Sequence, residues 1–360
     1  MAIIETIQPK SVSVAALDVD EIIQQAWQEY DNTRTIVSIT DISAKVSTNH
    51  VYRIRFIDNS FIIAKLSYYG DFEHFAEDHS IIDTLSNNLP APFENFLARA
   101  LAKGKYLFIY HHHDGDKSAW VVFYRPIQIR QKLPRRLNDT QIVKLANQVA
   151  LFHKACYSIR NTLPPSSKTL NTDISSLLHT LDTEEGYHEF YPYNEEIKKH
   201  AGLFIENTSN YAMQSLPAIP VFVDWNIGNF SVTPSLKLFS RWDYDWFRMG
   251  SRMLDFYFLS RVCSNVGDRT VFSYHASTLM EERFLLFLQH YHAVYPITKT
   301  EILFLKEAYR FFILNYVVKD GRYFFRKSFA DKLQREALEF HLPSLDKTLD
   351  TDVLLRSLKL

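Results

Sequence analysis

The chain has 360 residues, 46% hydrophobic and 14% aromatic, which is ample for a large core and compatible with two lobes or two domains. With 40 basic and 41 acidic residues its formal net charge is −1, so no strong field draws it to nucleic acid or to an anionic membrane, and partners must be sought at local sites. No apolar run approaches the roughly 20 residues that span a bilayer, the start lacks a basic-then-apolar signal pattern, and the two cysteines, Cys156 and Cys263, sit in helix-like apolar patterns and read as buried thiols of a cytoplasmic protein.

Residues 1 to about 18 carry no cap and no clear period. From Asp18 to Tyr30, early acidic residues precede Ile22, Ile23, Ala26 and Trp27 on one face, which predicts an amphipathic accessory helix. The period then changes to two: Ile36–Ile42, Val51–Phe56 and Phe61–Leu66 read as three consecutive antiparallel strands, with Asp58-Asn59 turning the last hairpin. In the first connection, Ser47, Thr48 and Asn49 offer hydroxyls and amides suited to phosphate, although no glycine permits close backbone approach; a plain polar hairpin is the other reading.

Lys65 ends an apolar strand and reads as buried, so it needs a partner. The following helix, Phe72–Leu85, repeats Glu73, Glu77, Ile81 and Leu85 every four residues, which puts Glu77 on the inward stripe within reach of Lys65; Glu73 is the second candidate. Strands at Lys105–His111 and Ala119–Arg125 follow. Between them His111-His112-His113-Asp114-Gly115-Asp116 reads as a polar turn closed by Asp-Gly, because neighbouring histidines on a strand point to opposite faces and do not form a metal site by themselves.

Helices dominate from residue 139. Asp139 is the expected cap of a helix carrying Ile142, Val143, Ala146, Val149, Ala150 and Phe152, and His153 near its end reads as structural. Residues 182–196 are acidic, with no Lys or Arg, and suggest either charged loop ends flanking aromatic residues or a receptor for a cationic substrate.

The segment richest in chemistry runs from Ile219 to Trp246. Apolar Ile219–Val223 leads to Asp224 and, five positions later, Asn229; Phe230 and Val232 resume a strand, Thr233-Pro234-Ser235 turns the chain, and Leu236–Trp242 pairs back. Asp243 and Asp245 then arrive beside Asp224 and Asn229, with Trp242, Tyr244 and Trp246 expected on the opposite, dry face of a continued strand. Like charges this close repel unless a cation sits between them. Magnesium fits, since it takes hard oxygens from one or two protein groups and completes its shell with phosphates and water, leaving one Asp to accept a hydroxyl proton. Downstream, Asp255 reads as a buried carboxylate, and the aromatic helices over Glu281–Tyr295, Thr300–Val318 and Phe329–Leu342 read as core.

The spacing Asp, four residues, Asn, then a hairpin ending in Asp resembles the catalytic and metal-binding loops of the aminoglycoside phosphotransferase and choline kinase family, small-molecule relatives of the protein kinases. The resemblance covers most of residues 36–300, with Phe222 where the family usually has His. It implies an α+β, two-lobed protein-kinase-like fold: an N-terminal extension (1–35), an antiparallel β-sheet lobe binding nucleotide (36–126) and a mainly helical catalytic and substrate lobe (127–360). It further implies ATP and Mg2+ as cofactors and a small-molecule hydroxyl as phosphate acceptor, with no nucleic acid or membrane partner. Asp224 is then the catalytic base, Asn229 and Asp243 magnesium ligands, Asp245 an auxiliary acid near the metal, and Lys65, paired with Glu77, the group that orients the nucleotide phosphates, with Ser47, Thr48 and Asn49 over them. The hinge near Pro126 would contact the base, and Asp255 would accept backbone hydrogen bonds from the Asp224 loop. Phe222 and the glycine-free loop favour, as an alternative, a nucleotide-binding pseudokinase that acts as a scaffold.

Overall fold

The computed structural model describes residues 17–44, 50–115, 117–268 and 273–360. The chain divides into two compact units, one made of residues up to Asp83 together with Ala98–Ile127, the other of Thr84–Leu97 with Gln128–Leu360.

In the first unit, helix α1 (Val19–Tyr30) is capped by Asp18, whose carboxylate accepts the Glu21 N–H. Its spacing of Ile22, Ile23, Ala26 and Trp27 makes one continuous apolar face, and all four are buried. Burial of Trp27 alone is worth about 2–3 kcal/mol, and its indole N–H is satisfied by the Arg34 carbonyl at 3.1 Å. This face covers one side of an antiparallel sheet built from β1 (Ile36–Asp41), β2 (His50–Phe56) and β3 (Phe61–Ser67), where Tyr52, Ile54, Phe56, Ile62, Ala64 and Leu66 alternate into the same core. Asn59, at φ +60°, closes the β2–β3 hairpin as its sequence demands. The short strands β4 (Ala102–Lys103) and β5 (Tyr106–Leu107) pair with each other, and β6 (Ile109–Asp114) and β7 (Lys117–Tyr124) complete a five-stranded sheet of order β1-β2-β3-β7-β6. The histidine run is strand, not turn: β6 continues through His113 to Asp114, which pairs with Lys117. Phe72 stacks on the His111 ring at 3.9 Å and Ser118 Oγ lies 2.8 Å from its Nε2, so tertiary partners extend the strand past the point where its polarity suggested an end.

Helix α2 (Phe72–Asn88) begins at the Asp71 carboxylate, which accepts the His74 N–H. Ile81 and Leu85 are fully buried as the four-residue stripe requires, but Glu73 is exposed and Glu77 half-buried. His79 occupies the buried face instead, with its Nε2 2.6 Å from the Tyr124 hydroxyl.

The second unit is mainly helical. Phe93 and Phe96, on the 84–97 segment, pack edge-on against Phe152 of α3 (Asp139–Ile159) at 5.4 and 5.1 Å, which explains why this stretch groups with the later chain. The α3 cap is Asn138 rather than Asp139: only Asn138 has Gln141 three residues on, and the two form a reciprocal capping box. Helices α4 (Leu170–Leu181), α5 (Glu184–Phe190), α6 (Asn194–Thr208) and α7 (Tyr211–Gln214) follow. Glu184 and Glu185 lie in the first turn of α5, and Glu195 and Glu196 in that of α6. These four charges are favourable at helix N-termini, while Asp182 pairs with Lys198 and Glu189 with Arg322.

Four short strands, β8 (Ile219–Val221), β9 (Phe230–Val232), β10 (Leu238–Arg241) and β11 (Arg248–Gly250), pair as β9–β10 and β8–β11. Helices α8 (Phe256–Cys263), α9 (Glu282–Val294) and α10 (Lys299–Phe312) build the core beneath them, α9 lying along α3. The last turns after α10 widen to i→i+5 bonding over Ile313–Lys319, and helices α11 (Gly321–Phe324) to α14 (Thr351–Leu358) close the chain. Trp246 sits among Phe258, Phe312, Tyr316 and Phe324, with ring centroids at 5.4, 5.8, 4.9 and 5.4 Å.

Candidate active site

The site begins where β8 ends. Phe222 and Val223 are buried, and Val223 takes φ +58°, a left-handed conformation that disfavours a β-branched residue by about 1–3 kcal/mol. What holds it is Asp255. One carboxylate oxygen, Oδ1, accepts the N–H groups of Phe222 at 2.9 Å and Val223 at 2.6 Å; the other, Oδ2, lies 2.9 Å from His153 Nε2. The Tyr291 hydroxyl is 2.8 Å from His153 Nδ1. Asp255 and His153 are fully buried, so each hydrogen bond replaces a solvation shell that neither group has. Both side chains thus take the structural parts expected for them.

The sharp bend carries Asp224 into a loop closed by its own side chain. Its Oδ1 accepts the Asn226 N–H at 3.1 Å and its Oδ2 accepts the Asn229 amide Nδ2–H at 2.9 Å. The acceptor fixes the orientation of that amide: Nδ2 faces Asp224, leaving Asn229 Oδ1 as a ligand atom. Asn229 is anchored in turn by Trp242, whose N–H donates to the Asn229 carbonyl at 3.0 Å, and by the β9–β10 pairing that sets Arg241 opposite Phe230. The hairpin therefore brings Asp243 to Asp224. The strand does not continue to Trp246: β10 ends at Arg241, and Asp243 turns at φ +68°. Tyr244 and Trp246 are buried as expected, whereas Trp242 is half-buried. The half-buried Asp245 donates its backbone N–H to Asp243 Oδ1 at 3.4 Å, so the two acids are tied locally.

Burial, followed by the Asp243 charge, pushes the Asp224 carboxyl up to about 7; Asp268 adds to the rise, while the Asn226 N–H and Arg241 oppose it. A carboxylate near neutrality is suited to accept a proton at physiological pH. Asp268 did not emerge from sequence reasoning. Its Oδ2 accepts the Ile227 N–H at 2.8 Å, and its own N–H donates to the Arg135 carbonyl at 2.8 Å. The only sequence signal was Gly267 before it, whose φ of +73° brings the chain so close to Arg135 that a Cβ would lie 2.1 Å from the Arg135 oxygen.

The structure thus brings Asp224, Asn229 and Asp243 together in the helical unit. Their hard oxygens, and the crowding of negative charge that raises Asp224, fit magnesium shared with phosphates. Among the described residues no three His, Cys, Asp or Glu side chains form a metal cage of their own. Lys65 and Glu77 belong to the sheet unit. Lys65 is 7% exposed on β3, between Val51 of β2 and Val122 of β7, and Glu77 is half-buried on α2. Ser47, Thr48 and Asn49 lie outside the described residues.

No family model and no curated sequence matches the chain. Solved structures do. An amicoumacin kinase in complex with AMP-PNP, Ca2+ and Ami matches over 94% of this chain and 98% of its own, with TM-score 0.64 and 13% identity. A microcompartment-associated aminopropanol kinase matches over 93% and 99%, with TM-score 0.59 and 13% identity. The GDP complex of aminoglycoside 2'-phosphotransferase-IIIa matches over 89% and 98%, with TM-score 0.53 and 13% identity. The chain therefore has the kinase-like fold of these small-molecule phosphotransferases, an antiparallel sheet unit followed by a mainly helical one.

Proposed function

We propose that the protein is an ATP- and Mg2+-dependent phosphotransferase that moves the γ-phosphate to a hydroxyl of a small molecule, with Asp224 as base. The observation that carries the reading is the Asp224 carboxylate, held by the Asn229 amide beside Asp243. In this reading Asp224 orients the acceptor hydroxyl and takes its proton as the oxygen attacks phosphorus, for which its raised pKa is matched. Asn229 keeps Asp224 in one rotamer through Nδ2 and offers Oδ1, with an Asp243 oxygen, to the metal; Asp245 supports that end of the site. Magnesium, when bound, supplies neutralisation of the phosphate charge. Lys65 serves the nucleotide phosphates, with Glu77 as its partner and Ser47, Thr48 and Asn49 over them. Two of the solved structures named above hold AMP-PNP or GDP, which supports a nucleotide substrate here, and the amicoumacin kinase in complex with Ami supports a small-molecule acceptor. No helix of the described residues is long and apolar enough to cross a membrane. The buried free thiols Cys156 and Cys263 support a cytoplasmic setting.

The test is a thermal shift with ATP, with and without Mg2+, on the wild type and on Asp243→Asn. Ligand binding to the native state raises the melting temperature by mass action, about 2.7 kcal/mol at a hundredfold excess over Kd. Magnesium should add to the ATP shift in the wild type, and Asp243→Asn should lose that addition while keeping the shift from ATP alone. An ATP shift indifferent to Mg2+ would favour a nucleotide-binding scaffold, and an Asp243→Asn protein with the full Mg2+ increment would remove Asp243 from the metal site.

A further inference from the structure

Arg241 is the residue of this site that no part of the reading above requires. Its guanidinium is fully buried, 4.5 Å from the Phe222 ring and 4.6 Å from the Trp225 ring. Nη2 donates to the Asp224 carbonyl at 2.8 Å; Nε and Nη1 have no hydrogen-bond partner among the described residues. The backbone beneath it is pinned, since the Arg241 N–H donates to the Phe96 carbonyl at 2.6 Å and the residue pairs with Phe230 across the hairpin. The acidic groups that act on it are the Asp255 and Asp224 carboxylates, the Tyr244 hydroxyl and the Asp243 carboxylate, all in the helical unit. A buried cation with two unpaired donors is expensive, and an apolar side chain of the same length would fill this space at lower desolvation cost. Packing therefore does not explain the residue. What only an arginine does here is hold the Asp224 carbonyl from between two rings and place a permanent positive charge among three carboxylates.

We propose that Arg241 is the positioning residue of the Asp224 loop: stacked between Phe222 and Trp225, it fixes the Asp224 backbone through Nη2 and offsets the carboxylate charge at the site before a metal arrives. The brace stands on the geometry alone, and its catalytic consequence rests on the phosphotransferase reading. Asp224 reaches substrate through a loop with one strained residue, Val223, and without the brace that loop relaxes; the loss falls on turnover rather than on nucleotide affinity, because Arg241 touches the base and not the nucleotide.

The experiment compares wild type, Arg241→Met and Arg241→Lys by backbone amide hydrogen exchange without nucleotide or metal, by melting with MgCl2 alone, and by Mg·ATP hydrolysis with water as acceptor. In Arg241→Met the amides of Val223 to Asn226 should exchange about tenfold faster or more while the rest of the unit keeps its protection. MgCl2 alone should raise its melting temperature more than that of the wild type, since the metal replaces the missing charge. Its kcat for ATP hydrolysis should fall about tenfold or more with KM for ATP within about twofold, and Arg241→Lys, which keeps charge and a donor, should recover most of that loss. Wild-type exchange at Val223–Asn226 in Arg241→Met overturns the proposal, as does a loss of protection spread evenly through the unit in both variants. Should Arg241→Met not fold, Arg241→Lys decides: wild-type loop protection supports the brace and unprotected loop amides refute it. A wild type with neither hydrolysis nor a magnesium-dependent ATP shift defeats the phosphotransferase reading, and the exchange result still decides the brace.

Discussion

Asp255→Ala is the perturbation that bears most directly on how the Asp224 loop is held. The buried carboxylate accepts two main-chain N–H groups, at 2.9 and 2.6 Å, and faces His153 Nε2 at 2.9 Å. Alanine removes three charge-assisted hydrogen bonds and leaves two buried donors on Phe222 and Val223 with nothing to bond. Each such bond is worth about 1.5–3 kcal/mol, and breaking a buried charged network by deleting one member costs about 3–5 kcal/mol, so the loss should lie in that range. For a chain of 360 residues, with about 2.1 cal/mol/K of unfolding entropy per residue, that corresponds to roughly 4–7 °C in melting temperature. Val223, which holds φ +58° only while its N–H is bound, should also relax, and the Asp224 loop with it. Asp255→Asn separates charge from geometry. Its amide oxygen still accepts both N–H groups, and its Nδ2 can donate to His153 Nε2 if the imidazole moves its proton to the other nitrogen, so its cost should be about half that of alanine. The assay is melting followed by circular dichroism, with magnesium-dependent ATP binding measured on whatever remains folded. A loss below about 1 kcal/mol for Asp255→Ala would refute the reasoning, because the two orphaned N–H groups alone should exceed it.

Two further predictions concern stability. His341 is 5% exposed, its ring 4.6 Å from that of His275, and burial followed by the His275 charge lowers its pKa to about 4. The unfolded chain, at about 6.5, takes up the proton first as the pH falls, so this contribution is fully present above about 6.5 and is lost progressively down to about 4; by pH 5 it should amount to about 2 kcal/mol. Melting temperatures of the wild type and of His341→Gln at pH 7 and 5 check this, and an equal drop in both would remove His341 as the cause. Gly267→Ala adds a side chain at φ +73° whose Cβ would lie 2.1 Å from the Arg135 carbonyl oxygen, and should cost about 2–4 kcal/mol. Because Asp268 holds Ile227, the magnesium increment to the ATP thermal shift should weaken alongside the melting temperature; unchanged melting would show that the backbone gives way there cheaply.

Much of the site's skeleton was legible because it is local. The turn at Thr233-Pro234-Ser235 between two apolar runs predicts the hairpin, and the hairpin alone brings Asn229 and Asp243 to Asp224. Asp255 was legible as a carboxylate in a run too apolar to solvate it. The failures have physical causes. Extending the strand period to Trp246 assumed that Asp243 stays extended, and a left-handed Asp cannot be told from an extended one by its letter. Asp139 and Asn138 are equally good caps in isolation; the reciprocal bond from Gln141 selects Asn138. In the acidic stretch over 182–196, composition alone did not show that Glu184, Glu185, Glu195 and Glu196 fall in the first turns of α5 and α6. Asp268 and Arg241 act on Asp224 from 44 and 17 residues away, through contacts that neither period nor spacing records.

The chain of groups behind the Asp224 loop also has two ends. His153 presents Nε2 to the Asp255 carboxylate, which accepts, so that nitrogen carries the N–H, and its Nδ1 faces the Tyr291 hydroxyl at 2.8 Å. Tyr291 accepts from Arg252 Nη1 at 3.4 Å, while Arg252 is clamped by the two oxygens of Glu301, at 2.6 and 2.8 Å, in the capping box that starts α10. Arg252 donates both ways, outward to Glu301 and inward to Tyr291, and the loop's own N–H groups point back at Asp255. The series ends on a carboxylate at each side, Asp255 behind the loop and Glu301 at the start of α10, with the Arg252 guanidinium donating toward both. Loss of Glu301 would unclamp Arg252, the donor that Tyr291 accepts from, and the nitrogen resonances of His153 would report that change at the back of the Asp224 loop.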